Sequence, residues 1–255
     1  MPNVVVIAGP NGAGKSTAAP SLIGERLGIA EFVNADVIAS GLSAFAPERV
    51  AIEAGRIMLR RLDALASARV DFAFEATLAS RSFAPWIARL RRERGYRFHL
   101  AFLWLPSADM AIRRVAGRVR HGGHAVPPED IRRRYRRGLV NFFELYMPIA
   151  DSWEMHQNSS SPPELIAAKE GDSPIRLGNR MLWESIQDRM SAKEEVREYE
   201  TGIEARLMGV PVSEVMQIFD RAGREARRRH KALGHPIVIW RDGRVLEVPP
   251  EEIEV

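Results

Sequence analysis

The sequence predicts a three-layer α/β fold, a parallel sheet with helices on both faces, followed by a small helix–helix–β-hairpin unit. Three observations predict it. An apolar run at the N-terminus enters a glycine-rich turn and then a helical pattern. Apolar runs then alternate with amphipathic helical stretches as far as residue 157. Past Ser159-Ser160-Ser161-Pro162-Pro163 the texture changes, and it changes again at Met190. The division expected is a main domain over 1–189 and a tail over 190–255.

Residues 3–8 read as a short strand buried on both faces, and the glycine turn 9–14 leads to a helix over 15–27. Residues 31–34 suggest a second strand ending at Asp36. Residues 47–66 place Val50, Ala54, Ile57, Met58, Arg61, Leu62 and Leu65 near helical spacing, and 70–75 form a third strand. A helix over 82–94 stops at Gly95, and 97–105 is a long strand closed by Pro106. Ser107 caps a helix over 108–118. Gly122-Gly123 breaks the chain, Pro127-Pro128 restarts it as a helix to about Leu145, and 153–157 is a fifth strand. A hairpin-like piece and a helix over 179–189 complete the main domain. In the tail, 191–208 and 212–233 read as helices separated by Gly209-Val210-Pro211, and 236–248 as a hairpin turning on Asp242-Gly243.

Composition narrows the function classes. The chain has 255 residues, 45% of them hydrophobic, which suffices for a substantial core. Cysteine is absent, which removes disulfides and thiolate metal sites and fits a reducing cytoplasm. The N-terminal run lacks a basic flank and ends at a glycine, so it reads as a strand rather than a signal peptide. No stretch is long and apolar enough to predict a membrane span. Residues 81–137 hold fifteen arginines against four acids. That patch calls for a polyanion, either nucleotide phosphates or nucleic acid, the plainer alternative being solvated helix faces.

Gly9-Pro10-Asn11-Gly12-Ala13-Gly14-Lys15-Ser16 matches G-x-x-x-x-G-K-[ST] between the first strand and first helix. Glycines stand where the backbone must wrap phosphate oxygens with positive φ. Gly9, Asn11, Gly12, Ala13, Gly14, Lys15, Ser16 and Thr17 are therefore the expected nucleotide cradle for ATP or GTP. Lys15 would reach the β- and γ-phosphates, and the Ser16 hydroxyl would hold Mg²⁺. Asp36, just past the second strand, stands where ligands meet open α/β sheets and could accept a proton from an attacking hydroxyl; a helix N-cap is the alternative. Glu75 and Thr77, at the exit of the third strand, could hold an acceptor or a metal-bound water, with Arg81 reaching acceptor phosphates. The alternative for Glu75 is an ion pair with an arginine. Arg114 and Arg118 share one helix face, as do Arg133 and Arg137; with the loop His121–His124 between them, the two helices read as a basic lid over the triphosphate. His121 and His124 lack paired carboxylates at metal-ligand spacing and read as loop residues.

Taken in order, these motifs resemble the zeta-toxin family of small-molecule kinases. The matching residues are Ile7-Ala8-Gly9-Pro10-Asn11-Gly12-Ala13-Gly14-Lys15-Ser16-Thr17, Asn34-Ala35-Asp36, Phe74-Glu75-Ala76-Thr77-Leu78, Arg114-Val115, Arg118-Val119, Gly122-Gly123-His124, Ile131-Arg132-Arg133-Arg134-Tyr135 and Ala150-Asp151-Ser152-Trp153 leading to Asn158. The resemblance covers roughly residues 3–170. It implies a P-loop kinase fold, ATP-dependent transfer to a hydroxyl of a nucleotide sugar such as UDP-N-acetylglucosamine, and the toxin role of a toxin–antitoxin pair. It also implies Asp36 as base, Lys15 and Ser16 on nucleotide and metal, Glu75 and Thr77 on the acceptor, and lid arginines Arg114, Arg118 and Arg133 completing the site. Ala76 stands where relatives often carry a second threonine. The tail, through His230-Lys231-Ala232-Leu233-Gly234-His235-Pro236-Ile237-Val238, Asp242-Gly243 and Val248-Pro249-Pro250, resembles small antitoxin-like proteins. With eleven basic and thirteen acidic residues it could cover part of the basic lid.

Two other readings stay open: a kinase for a nucleoside, a sugar or a nucleic-acid end, and a nucleotide-dependent nucleic-acid-binding module. The last is disfavoured, because the arginines are not interleaved with aromatic residues.

Overall fold

The computed structural model describes residues 1–20, 27–120, 125–160, 162–200, 206–207, 210–211, 227–229, 231–241 and 244–253. They divide into two compact units, Met1–Met190 and Ser191–Val255.

The first unit is built on a seven-stranded sheet. Its strands are β1 (Asn3–Ala8), β2 (Glu31–Val33), β3 (Phe72–Ala76), β4 (Arg97–Trp104), β5 (Ser152–Gln157), β6 (Glu164–Glu170) and β7 (Arg176–Leu177), in the spatial order β2-β3-β1-β4-β5-β6-β7. The first five are parallel, β6 pairs antiparallel with β5, and β7 pairs antiparallel with β6 at the edge. The sheet is thus mixed, where alternation in the sequence predicted only parallel strands. The connection between β5 and β6 spans 158–163, too short for the helical crossover a parallel neighbour needs, so the chain must fold back.

Alternation along β1 divides the core. Val4, Val6 and Ala8 face the large cluster with Phe72, Phe74, Leu100, Phe102 and Trp153, while Val5 and Ile7 face a smaller one with Ala19, Ile29 and Ala73. The helices are α1 (Lys15–Ala19), α2 (Ala35–Leu42), α3 (Ala51–Ala68), α4 (Phe83–Arg94), α5 (Ala108–Arg120), α6 (Pro128–Asn141) and α7 (Arg180–Glu200). Several ends follow sequence signals. Ser107 Oγ accepts from Met110 N–H at 3.1 Å, and Gly95 ends α4 at φ 67°. The expected helix from Pro128 to Leu145 keeps α geometry only to Asn141 and continues as a π-helical turn, Phe142–Tyr146. That turn directs Phe142 into the core, where its ring meets Phe102 at 4.8 Å and Trp153 edge-on at 5.9 Å. Trp183 of α7 stacks on Trp153 at 5.5 Å.

Asp151 ties the start of β5 to α4 and β4. Arg91 grips its carboxylate with Nε and Nη2 at 2.9 and 2.7 Å, and Phe98 N–H donates at 2.7 Å. Burial by itself would raise this carboxyl's pKa, but these donors outweigh it and hold the group below the usual carboxylate range. A depressed carboxyl stabilises the fold above its unfolded pKa and loses that contribution as pH falls through the folded value. Asp151→Asn should therefore lower stability by about 1–3 kcal/mol at neutral pH and flatten the loss below about pH 4, read by urea unfolding against pH.

In the second unit β8 (Arg206–Leu207) pairs with β9 (Val210–Pro211), and β10 (Ile237–Arg241) pairs with β11 (Arg244–Val248), both antiparallel. The helix expected over 191–208 is corrected: α7 runs unbroken through Met190 to Glu200, and 206–207 is strand. The helix expected over 212–233 and the Asp242-Gly243 turn fall largely outside the described residues. Among the described residues no helix is long and apolar enough to cross a membrane.

Candidate active site

β1 ends at Ala8, and the chain turns at once through the glycine loop. Gly9, Gly12 and Gly14 have φ of 140°, 78° and 81°, a region closed to most side chains. Close neighbours add a second reason. A Cβ at Gly9 would lie 2.3 Å from Leu103 O, one at Gly12 2.8 Å from Ala111 O, and one at Gly14 2.6 Å from Asn158 Nδ2. The loop is therefore held between β4, α5 and the segment after β5. Gly9→Ala combines strain with a backbone collision and should abolish nucleotide binding or folding, measured by calorimetry and circular dichroism.

The lysine that follows is buried. Lys15 Nζ donates to Gly9 O and Pro10 O, both at 2.9 Å, and lies 3.5 Å from Glu75 Oε1. Burial lowers its pKa, opposed by the carboxylates of Glu75 and Asp36, while Arg118 adds to the lowering. Glu75 has two further donors. Ser16 Oγ donates to its Oε2 at 2.7 Å, and Asn34 Nδ2 donates to the same oxygen at 2.8 Å. The arginine partner weighed for Glu75 is replaced by Lys15. Strand order explains the meeting: β2 and β1 flank β3, so Asn34, Lys15 and Glu75 converge at the carboxyl ends of neighbouring strands.

Asn34 does two jobs. Its Oδ1 accepts from Asp36 N–H at 2.8 Å and Val37 N–H at 3.4 Å, so it is the N-cap of α2. Its Nδ2 reaches Glu75 and, at 3.4 Å, Ser16 Oγ. Asp36 is thereby freed from capping and sits exposed in the first turn of α2, close enough to act on Lys15.

The loop after β3 is also fixed. Thr77 Oγ1 accepts from Ala79 N–H at 3.4 Å, and Leu78 adopts φ 55°. Arg81 is exposed. Of the basic helices, α5 brings Arg118 within electrostatic reach of Lys15. Arg114, expected on the phosphates, has its guanidinium on two carbonyls, Asn158 O at 2.6 Å and Ser159 O at 3.0 Å. Arg133, also expected there, pairs with Asp130 on its own helix at 2.6 Å and is half exposed. Arg132 bridges to Asp109 of α5 at 2.7 Å. The loop 121–124 lies outside the described residues.

The comparisons with known proteins can be set on this geometry. Residues 4–139, more than half of the chain, match the AAA domain family. The chain belongs to that AAA domain family. The matched stretch runs from β1 through α6 and so includes the glycine loop, Asn34, Asp36, Glu75 and both basic helices of this AAA domain. An uncharacterized protein of Haemophilus influenzae is 27% identical over 133 residues, 51% of this chain and 91% of its own length. Among solved structures, AvrRxo1-ORF1:AvrRxo1-ORF2 with sulphate ions is similar at TM-score 0.61 and 16% identity, over 73% of this chain and 63% of the matched chain. The same complex with ATP gives TM-score 0.61 at 17% identity over the same shares. The chain thus spans less than two thirds of those matched chains. The likeness is one of fold: this AAA domain has a P-loop kinase-like α/β architecture.

The loop fits a nucleotide. Three glycines with positive φ form the cradle, Lys15 supplies a cation at its base, and Asn11 Oδ1 is buried with no hydrogen-bond partner among the described residues. Ser16 Oγ beside Glu75 offers hard oxygen ligands suited to Mg²⁺. Two residues that matter were missed in the sequence as site residues. Asn34 was quoted only as part of a motif. Asn158 donates from Nδ2 to Ala13 O at 2.7 Å and so clips the loop from 145 residues away, which no local pattern reveals.

A cavity of about 490 Å³ lies along one face of the sheet, lined by Val5, His99, Ser152, Glu154, Lys169 and Arg176 among others. His99, whose pKa burial pushes down, bridges Ser152 Oγ at 2.7 Å and Asn3 Oδ1 at 3.1 Å. These contacts form a polar ladder across β1, β4 and β5.

Proposed function

We propose that the protein is a phosphotransferase of the zeta-toxin type that moves the γ-phosphoryl group of ATP or GTP onto a hydroxyl of a small acceptor. The observation that carries this reading is the convergence of Lys15, Ser16, Asn34 and Glu75 beside Asp36, whose carboxylate is spared from capping α2. Loop amides and Lys15 hold the polyphosphate, and Asp36 takes the proton of the attacking hydroxyl. Mg²⁺, held at Ser16, supplies charge neutralisation on the phosphates when bound. Arg118 is the lid arginine placed to favour charge on the transferring group, since its field already reaches Lys15. Arg114 acts by holding the segment after β5 against the loop. The ATP of the AvrRxo1-ORF1:-ORF2 structure supports ATP as donor.

Glu75, Thr77 and Arg81 border the acceptor side, and the acceptor is a nucleotide sugar such as UDP-N-acetylglucosamine, which makes the chain the toxin of a toxin–antitoxin pair. Full-length protein with γ-labelled ATP and Mg²⁺ should label UDP-N-acetylglucosamine and leave nucleosides and oligonucleotide ends unlabelled. Label on a nucleoside or an oligonucleotide end would replace that acceptor with the corresponding one. Nucleic-acid affinity collapsing with salt, without any transfer, would favour the binding-module reading instead.

The segment 190–255 is assigned as an antitoxin-like tail that restrains the kinase domain 1–189. Its thirteen acids against eleven basic residues, opposite in balance to the basic 81–137 stretch, support this. Transfer by residues 1–189 should outpace transfer by the full chain, and equal rates would remove the restraint.

A further inference from the structure

We infer that the end of α6 and the π-helical turn after it form a clamp that sets the conformation of the acceptor loop 77–80, with Asn141 as its positioning residue. The inference rests on the phosphotransferase reading for its functional meaning. Three separate contacts carry it. Asn141, buried at 5% exposure, donates from Nδ2 to Leu78 O at 2.6 Å. Tyr146, fully buried, donates its hydroxyl to Ser80 O at 2.9 Å. About one turn before Asn141, Gly138 packs so tightly that a Cβ there would lie 2.3 Å from Thr77 O. Every carbonyl engaged belongs to the loop that carries Thr77 and follows Glu75.

The loop needs such support. Leu78 holds φ 55°, a costly conformation for a branched side chain, and it persists only where the surroundings over-determine it. Its side chain is buried at 2% exposure, so the strained residue is anchored on both its side chain and its carbonyl. Asn141 has little else to do: its place is one turn from the arginine-bearing stretch of α6, and its amide points at the loop rather than along its own helix.

A functional consequence follows from the covalent chain. The helix that carries Arg132, Arg133, Arg134, Arg136 and Arg137 is the one that grips the acceptor loop. Displacement of α6 therefore displaces Thr77 relative to Asp36, and the basic helix and the acceptor side report on each other. The nucleotide loop is held by other residues, Asn158 and Arg114, so it should not respond.

Asn141→Asp keeps size and shape but presents an acceptor to Leu78 O. In full-length protein the KM for UDP-N-acetylglucosamine should rise about tenfold, while ATP affinity by calorimetry stays within about twofold. The introduced carboxyl can donate once protonated, so the defect relative to wild type should shrink as pH is lowered toward about 5, which a simple packing fault would not do. An unchanged acceptor KM, or ATP affinity falling in step with it, overturns the clamp. Should Asn141→Asp fail to fold, Tyr146→Phe removes only the hydroxyl; a several-fold rise in acceptor KM is expected, and no rise overturns the clamp. Wild-type protein that labels no UDP-N-acetylglucosamine would sink the acceptor assignment rather than the clamp. Amide exchange then decides: residues 78–81 should exchange faster in Asn141→Asp with 9–16 unchanged, and equal exchange overturns the inference.

Discussion

Asp36→Asn should leave ATP affinity within about twofold of wild type and lower the rate of transfer by about 10²–10⁴-fold, the range ascribed to a positioned general base. The asymmetry follows from position. Asp36 is exposed in the first turn of α2 and its carboxylate makes no cap, so its replacement by the isosteric amide leaves the fold and the backbone cradle in place. Asparagine is also a good first-turn residue and keeps the backbone N–H that Asn34 Oδ1 accepts. What is lost is a carboxylate next to the attacking hydroxyl. Single-turnover transfer and calorimetry on the same preparation separate the two terms, and intact transfer by Asp36→Asn would remove it as the base.

Lys15→Ala should act on everything at once. The ammonium holds Gly9 O and Pro10 O and balances Glu75 at 3.5 Å. Without it Glu75 keeps Ser16 and Asn34 as donors but loses the ammonium beside it, at a cost of about 1–3 kcal/mol in stability. A hydrogen bond between charged groups to the phosphates is lost too, weakening ATP by about 10- to 150-fold. Lys15→Arg should not restore binding, because a planar fork cannot replace a point donor that bonds two successive carbonyls from inside the loop. Calorimetry and thermal melting would show both effects, and a variant that binds ATP normally would deny Lys15 its place on the phosphates.

The parts of this site visible in the sequence are those whose constraint is local. Gly9, Gly12, Gly14 and Lys15 are dictated by backbone path, and their spacing records that path. Asp36 and Glu75 were legible because polar residues at the ends of apolar strands need partners. Asn34 was not, since the capping role was weighed for Asp36 and Asn34's contact to Glu75 spans 41 residues. Arg114 was expected on the phosphates and Asn158 stood in the motif, but the carbonyls they bind were hidden for the same reason, since a basic patch gives no sign of which guanidinium is bound to carbonyls. The helical period also continues smoothly past Asn141, so the π-helical turn leaves no mark on it. The antiparallel edge was in principle readable, from a β5–β6 connection with no room for a helix.

One measurement tests the central claim most directly. Full-length protein is premixed with γ-labelled ATP, Mg²⁺ and UDP-N-acetylglucosamine, and the reaction is quenched within a single turnover. The account predicts label on the sugar hydroxyl, nearly absent when Asp36→Asn replaces wild type. ATP held by the loop with its label staying in place, or passing only to water at the same rate in both proteins, would contradict it.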